Sequence, residues 1–156
     1  MSTGWAKDER IYFVMQFSKP FEGYSLFEGK TEVKVEATGA DTKIILHYVT
    51  AEGEQLVVKT ALSTANREGA YASMNTEATH FDFDVYRKHA ETVWENELQK
   101  VQITTTDADQ KTLFYTMLYQ SMLAPTLLSD PNGTYKGANG EVMLADGFKR
   151  YDTFSL

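Results

Sequence analysis

Hydrophobic spacing changes once along this chain, at Ser63 and Thr64, and the change decides what each side can become. Upstream, apolar residues recur at every second position, the pattern of a strand with two unlike faces. Downstream they recur at three- and four-residue steps, the pattern of one helix face. A run of strands followed by a run of helices, with no internal repeat and no low-complexity linker, predicts an α+β chain.

In residues 10–18, Ile11, Phe13, Met15 and Phe17 share one face and Tyr12, Val14 and Gln16 the other. Pro20 and Gly23 then break the pattern, as turn residues do. Residues 31–38 set Val33, Val35 and Ala37 against Glu32, Lys34 and Glu36, which predicts a half-buried strand with a charged, solvated face. A turn at Gly39, Ala40 and Asp41 precedes a strand over 43–49, and Glu52-Gly53-Glu54 precedes another over 55–61. Short strands at this spacing predict an antiparallel sheet of sandwich type, its second face covered by helices or by a partner sheet.

Beyond the change of period, Ser63 or Thr64 is placed to cap a helix running to about Ala78, with Glu68 complementing the dipole of its first turns. Gly69 weakens that helix by about 1 kcal/mol relative to alanine. Asp82 or Asp84 starts a second helix, on which Phe83, Tyr86, Ala90, Val93, Trp94 and Leu98 share a face. Trp94 reads there as a core or interface anchor rather than a sugar platform. Residues 101–106 are β-branched and predict a short strand or extended connector. Asp107 or Asp109 caps a third helix whose Leu113, Phe114, Met117, Leu118, Ser121 and Met122 form a wide apolar stripe, broadened by Tyr115 and Tyr119 and ended by Pro125. A helix apolar on so many sides belongs among other helices.

Composition narrows the chemistry. The formal charge of -7, with Lys and Arg scattered, disfavours a nucleic-acid partner. The absence of cysteine excludes disulfides, thiolate metal sites and cysteine nucleophiles. No apolar run is long enough to span a membrane, and residues 1–6 have no signal-peptide core. The aromatic content of 13% in an acidic chain suits a neutral polar ligand such as a sugar, although packing in the core of a β-rich protein is the favoured explanation.

His47, His80 and His89 lack metal-ligand spacing and read as structural. Phosphate loops, dinucleotide fingerprints and nucleophile elbows are absent from the sequence. Asp130, Asn132 and Gly133 partly match a calcium loop but lack its third oxygen ligand and closing glutamate, so they read as a turn. Glu141, Asp146 and Asp152 could line a pocket, and hydrolysis of a glycosidic bond needs two carboxyl groups across it; spacing alone makes none of them catalytic.

Certain blocks do carry a family likeness. Gly4-Trp5-Ala6, Arg10-Ile11-Tyr12-Phe13, Phe17-Ser18-Lys19-Pro20-Phe21 and Ala61-Leu62-Ser63 precede the run from Leu113-Phe114-Tyr115 to Leu123-Ala124-Pro125. After it come Ser129-Asp130, Gly133, Tyr135-Lys136-Gly137 and Tyr151-Asp152-Thr153-Phe154-Ser155-Leu156. Together they resemble glycoside hydrolase family 92, the bacterial exo-acting α-mannosidases, and the helix-to-loop block is the most specific part.

The resemblance implies an antiparallel β-sandwich, a helical linker and an (α/α)6 barrel: residues 1–62 end the sandwich, 63–106 form the linker, and 107–156 begin the catalytic barrel. It implies a calcium-dependent, inverting exo-α-mannosidase acting on α-1,2 linkages of N-glycans or mannan. It further implies a periplasmic or secreted bacterial protein whose signal peptide is not in this chain. The family's Phe-Ser-Leu runs on into Trp-Asp-Thr, which helps hold the terminal mannose, whereas this sequence stops at Leu156. The general acid, the general base and the calcium ligands are expected further downstream, so no catalytic or metal-binding residue is assigned here. Tyr151, Phe154 and Ser155 are expected to border the mannose site. A fragment of this kind is expected to be inactive alone and to self-associate through its apolar helix. The reading from a different class is a non-catalytic carbohydrate-binding or assembly module.

Overall fold

The computed structural model describes residues 10–152. The chain divides into two compact units, one formed by residues 16–59 and the other by the segments before and after it. Its class is mixed α+β, with antiparallel sheets preceding three helices.

Strand β1 (Tyr12–Phe17) hydrogen-bonds to β5 (Val58–Ser63). Within the first unit lies a three-stranded antiparallel sheet in the order β3-β2-β4, made of β2 (Gly23–Glu28), β3 (Thr31–Val33) and β4 (Thr42–His47). Its register places Leu26 between Val33 and Ile44. The alternation over 31–38 predicts a longer β3 than the three residues observed. Glu28 accounts for the difference: its carboxylate accepts the Thr38 backbone N–H at 2.6 Å and the Thr38 hydroxyl at 3.1 Å, so the chain turns off the sheet edge and Val35 is 87% exposed. Strand β2, the central one, has no counterpart in the sequence reading, because Gly23 reads as a turn and the adjacent Leu26 and Phe27 blur the alternation.

Phe17, Phe21, Tyr24 and Tyr48 gather beside this sheet with ring centroids 6.0 to 6.4 Å apart and mostly edge-on, the arrangement that ring quadrupoles favour. Lys19 Nζ closes the same unit by donating to Glu54 Oε1 at 2.6 Å and to the Val49 carbonyl at 2.5 Å. That hydrogen bond from Lys19, and then the one from the Ala51 N–H, hold the Glu54 carboxyl below its ordinary value of 4.5. A depressed carboxyl favours the folded state at neutral pH, and the contribution disappears as pH falls through the folded value. Titration of the Glu54 carboxyl resonance is expected to show a midpoint below 4.5, and Lys19→Ala to return it upward; a midpoint unmoved by that substitution would contradict the assignment.

In the second unit the 11-residue helix α1 (Arg67–Glu77) lies against the ribbon. Val14, Ala61, Ala70 and Met74 form the core between them, and Met74 is only 1% exposed. The burial of Val14 leaves Ile11, Phe13 and Met15, the more apolar face of β1, exposed. The cap of α1 is Asn66, whose side chain accepts the Gly69 N–H at 2.7 Å, and not Ser63 or Thr64. Ser63 is still in β5, and its hydroxyl accepts the N–H groups of Ala65 at 2.9 Å and Asn66 at 3.3 Å, which turns the chain before the helix can start.

Helix α2 (Phe83–Leu98) is capped by Asp82 and α3 (Ala108–Ser121) by Asp107, each taking two backbone N–H groups of the first turn. The earlier of the two candidate aspartates is the cap in both cases. Residues 101–106 form no strand. Trp94 meets Tyr119 edge-on with centroids 4.5 Å apart, and the Tyr115 hydroxyl donates to the Val101 carbonyl at 3.2 Å. Trp94 therefore anchors one helix to the next, as its place on the apolar face of α2 implies. No residue of α2 or α3 is buried; Leu113 is 58% and Met117 54% exposed, while Phe114, Leu118 and Met122 are half-buried.

Candidate functional site

After α3 the chain folds into two small antiparallel ribbons, and these place every sequence-predicted site residue that falls within the described part. Strand β6 (Thr126–Leu127) pairs with β9 (Tyr151–Asp152), and β7 (Thr134–Lys136) with β8 (Val142–Leu144). Tyr135, on β7, is buried and meets the Phe148 ring edge-on at 6.4 Å. Between β6 and β7 the chain reverses at residues 130–133, where the Gly133 N–H donates to the Asp130 carbonyl at 2.8 Å. Gly133 has φ +85, in the left-handed region that side-chain-bearing residues avoid, and a Cβ there would come within 3.2 Å of the Ala145 carbonyl oxygen.

Asp130 stands at the start of this turn and ties it to the end of β5. Its Oδ2 accepts the Ser63 hydroxyl at 2.6 Å, while the Thr134 hydroxyl, 3.2 Å from the same oxygen, has its nearer acceptor in Asn132 Oδ1 at 2.8 Å. The Asp130 backbone N–H donates to the Thr134 carbonyl at 2.8 Å. Asp130 Oδ2 lies 2.0 Å from where a Cβ on Gly69 would stand, in the first turn of α1. A carboxylate is favoured beside the positive end of a helix, and here it also ties the loop to the end of β5 through Ser63. Sequence reading missed this link because its partners are 67 residues apart; the signal was Gly69, a buried glycine inside a helical pattern.

The chain that leaves this knot leads directly to the predicted residues. Leu128 and Ser129 both donate their N–H groups to the Arg150 carbonyl, at 2.8 and 3.2 Å, and the Arg150 N–H donates to Ser129 Oγ at 3.3 Å. Tyr151 follows, paired with Leu127 and 43% exposed. Phe154 and Ser155 lie outside the described residues. Glu141, Asp146 and Asp152 are exposed. Among the described residues no group of three or more His, Cys, Asp or Glu is arranged to hold a metal ion. His80 stacks on Tyr86 with centroids 4.2 Å apart, and His47 Nε2 lies 3.3 Å from the Ser25 hydroxyl, both structural placements. Among the described residues no helix is long and apolar enough to cross a membrane.

Residues 69–156 match the family model described as the glycosyl hydrolase family 92 catalytic domain. The match covers more than half of the 156 residues, and the chain belongs to glycoside hydrolase family 92. Among solved structures it is similar to the family GH92 α-mannosidase BT3965 from Bacteroides thetaiotaomicron, with a TM-score of 0.80 and 31% identity over 98% of this chain and 22% of that one. The GH92 family glycosyl hydrolase ccman5 matches with a TM-score of 0.80 and 26% identity over 93% of this chain and 20% of the other. The inverting mannosidase BT2199 from Bacteroides thetaiotaomicron VPI-5482 matches with a TM-score of 0.75 and 27% identity over 94% and 20%. The chain thus spans about a fifth of the length of these solved relatives. No curated protein sequence matches it.

Proposed function

We propose that this chain is the junction segment of a bacterial exo-acting α-mannosidase, carrying the end of its β-sandwich (1–62), its helical linker (63–106) and the opening of its catalytic barrel (107–156). The observation that carries this reading is the similarity to a solved α-mannosidase across 98% of the chain at 31% identity, through both the sheets and the helices. A second structure of BT3965, in complex with mannoimidazole, matches this chain over the same 98%.

In this reading the whole enzyme removes terminal α-1,2-linked mannose from N-glycans or mannan with inversion, in the periplasm or outside the cell. One carboxylic acid protonates the leaving oxygen while a carboxylate activates water from the opposite face, the two groups standing about 6.5–9.5 Å apart to admit that water. Both groups, and the ligands of the calcium ion proposed for the whole enzyme, belong to segments other than the described residues. In this reading Tyr151, Phe154 and Ser155 border the sugar site.

The test is calorimetric titration with mannobiose, with and without calcium, alongside release of nitrophenol from an aryl α-mannoside. Both are run on the 156-residue chain and on the longer enzyme. Binding and turnover by the longer enzyme alone are the expected result; hydrolysis by the 156-residue chain would overturn the placement of the catalytic groups. The exposed Leu113 and Met117 of α3 also lead us to expect self-association of the isolated chain. Sizing with light scattering checks this, and a monomer across the accessible concentration range would refute it.

A further inference from the structure

We infer that Asp130 is a positioning residue for the sugar site, acting through the backbone of residues 128–130 on Arg150 and Tyr151. This rests on the reading of Tyr151 as a residue that borders the mannoside.

The argument starts from how completely Asp130 is fixed. Its carboxylate receives the hydroxyl of Ser63, a residue only 4% exposed at the end of β5, and lies 3.2 Å from the Thr134 hydroxyl on β7. Its N–H and C=O are both taken inside the 130–134 turn, by the Thr134 carbonyl and the Gly133 N–H. The glycine at position 69 lets Oδ2 sit against the first turn of α1, where any larger residue would expel it. The Ser63 hydroxyl has no spare capacity either, since it gives its one proton to Asp130 and accepts two backbone N–H groups.

Immediately before Asp130, Leu128 and Ser129 grip Arg150 through three hydrogen bonds to its backbone. Position therefore passes from the buried end of β5, through Asp130, to the residue that precedes Tyr151. A turn held only by its own backbone would leave the β6–β9 ribbon, two residues per strand, free to shift.

Amide hydrogen exchange on the 156-residue chain tests the mechanical part. Asp130→Ala is expected to speed exchange at Leu128, Ser129 and Arg150 by about tenfold or more, as loss of a charge-assisted hydrogen bond implies, while α2 and α3 stay unchanged. Asp130→Asn keeps an acceptor oxygen for Ser63 and is expected to restore most of the protection. Unchanged exchange at those three amides, or a uniform increase across α1, α2 and α3, overturns the proposal. In the longer enzyme, Asp130→Ala is expected to raise KM for an aryl mannoside several-fold with kcat nearly kept, with Asp130→Asn close to the wild-type KM, and an unaltered KM in Asp130→Ala would overturn the positioning role. An inactive wild-type enzyme with the expected exchange pattern would instead sink the mannosidase reading and leave the link from Asp130 to Arg150 standing.

Discussion

Gly69→Ala lowers the stability of the chain by about 2 kcal/mol, where the same substitution in an ordinary helix interior would raise it by up to about 1 kcal/mol. The sign is reversed by geometry. A Cβ at this position would stand 2.0 Å from Asp130 Oδ2, 2.7 Å from its Cγ and 2.8 Å from Ser63 Oγ, so the carboxylate must leave. Leaving breaks the hydrogen bond from Ser63, and a charge-assisted hydrogen bond contributes about 1.5–3 kcal/mol. Ser63, buried at the end of β5, then keeps its acceptor bonds but loses the partner for its proton. Urea unfolding followed by circular dichroism gives the difference directly. A variant as stable as the wild type, or more so, would show that Asp130 moves aside at no cost.

Met74→Ala is expected to destabilise by about 3 kcal/mol, within the usual range for deleting a large buried side chain, and to lower the melting temperature by about 10 °C for a chain of this size. Met74 is the largest fully buried side chain among the described residues, and its neighbours in the core are small: Ala61, Ala70 and Val14. None of these can extend into the space that truncation would leave. Met74→Leu, which nearly preserves volume, is expected to cost less than about 1.5 kcal/mol. Equal losses in the two variants would mean that the site is not close-packed around the thioether.

The order of sheets and helices was legible from the change of period at Ser63 and Thr64, because a helix face and a strand face need different spacing whatever they pack against. The caps of α2 and α3 were legible to within two residues, since Asp82 and Asp107 act on N–H groups two or three positions away. Local chemistry misled at α1, where Ser63 looks like a cap but its hydroxyl accepts the N–H groups of Ala65 and Asn66, which precede the helix. The length of β3 was misjudged because alternation over 31–38 says nothing about the Glu28 carboxylate that pulls Thr38 off the edge. At the candidate site, the resemblance pointed to Tyr151, but the knot that precedes it joins residues remote in sequence. No local periodicity reports such a contact.

The hydrogen bond between Ser63 and Asp130 spans 67 positions, and all three helices lie inside the loop it closes. Closing a loop of that length costs about 4 kcal/mol of chain entropy. The backbone hydrogen bonds of the helices join residues four apart and carry no closure cost of that size. The knot therefore belongs to the late part of folding, after the helical segments have shortened the effective loop. Damage to it registers chiefly as faster unfolding, with the folding rate left nearly as it was.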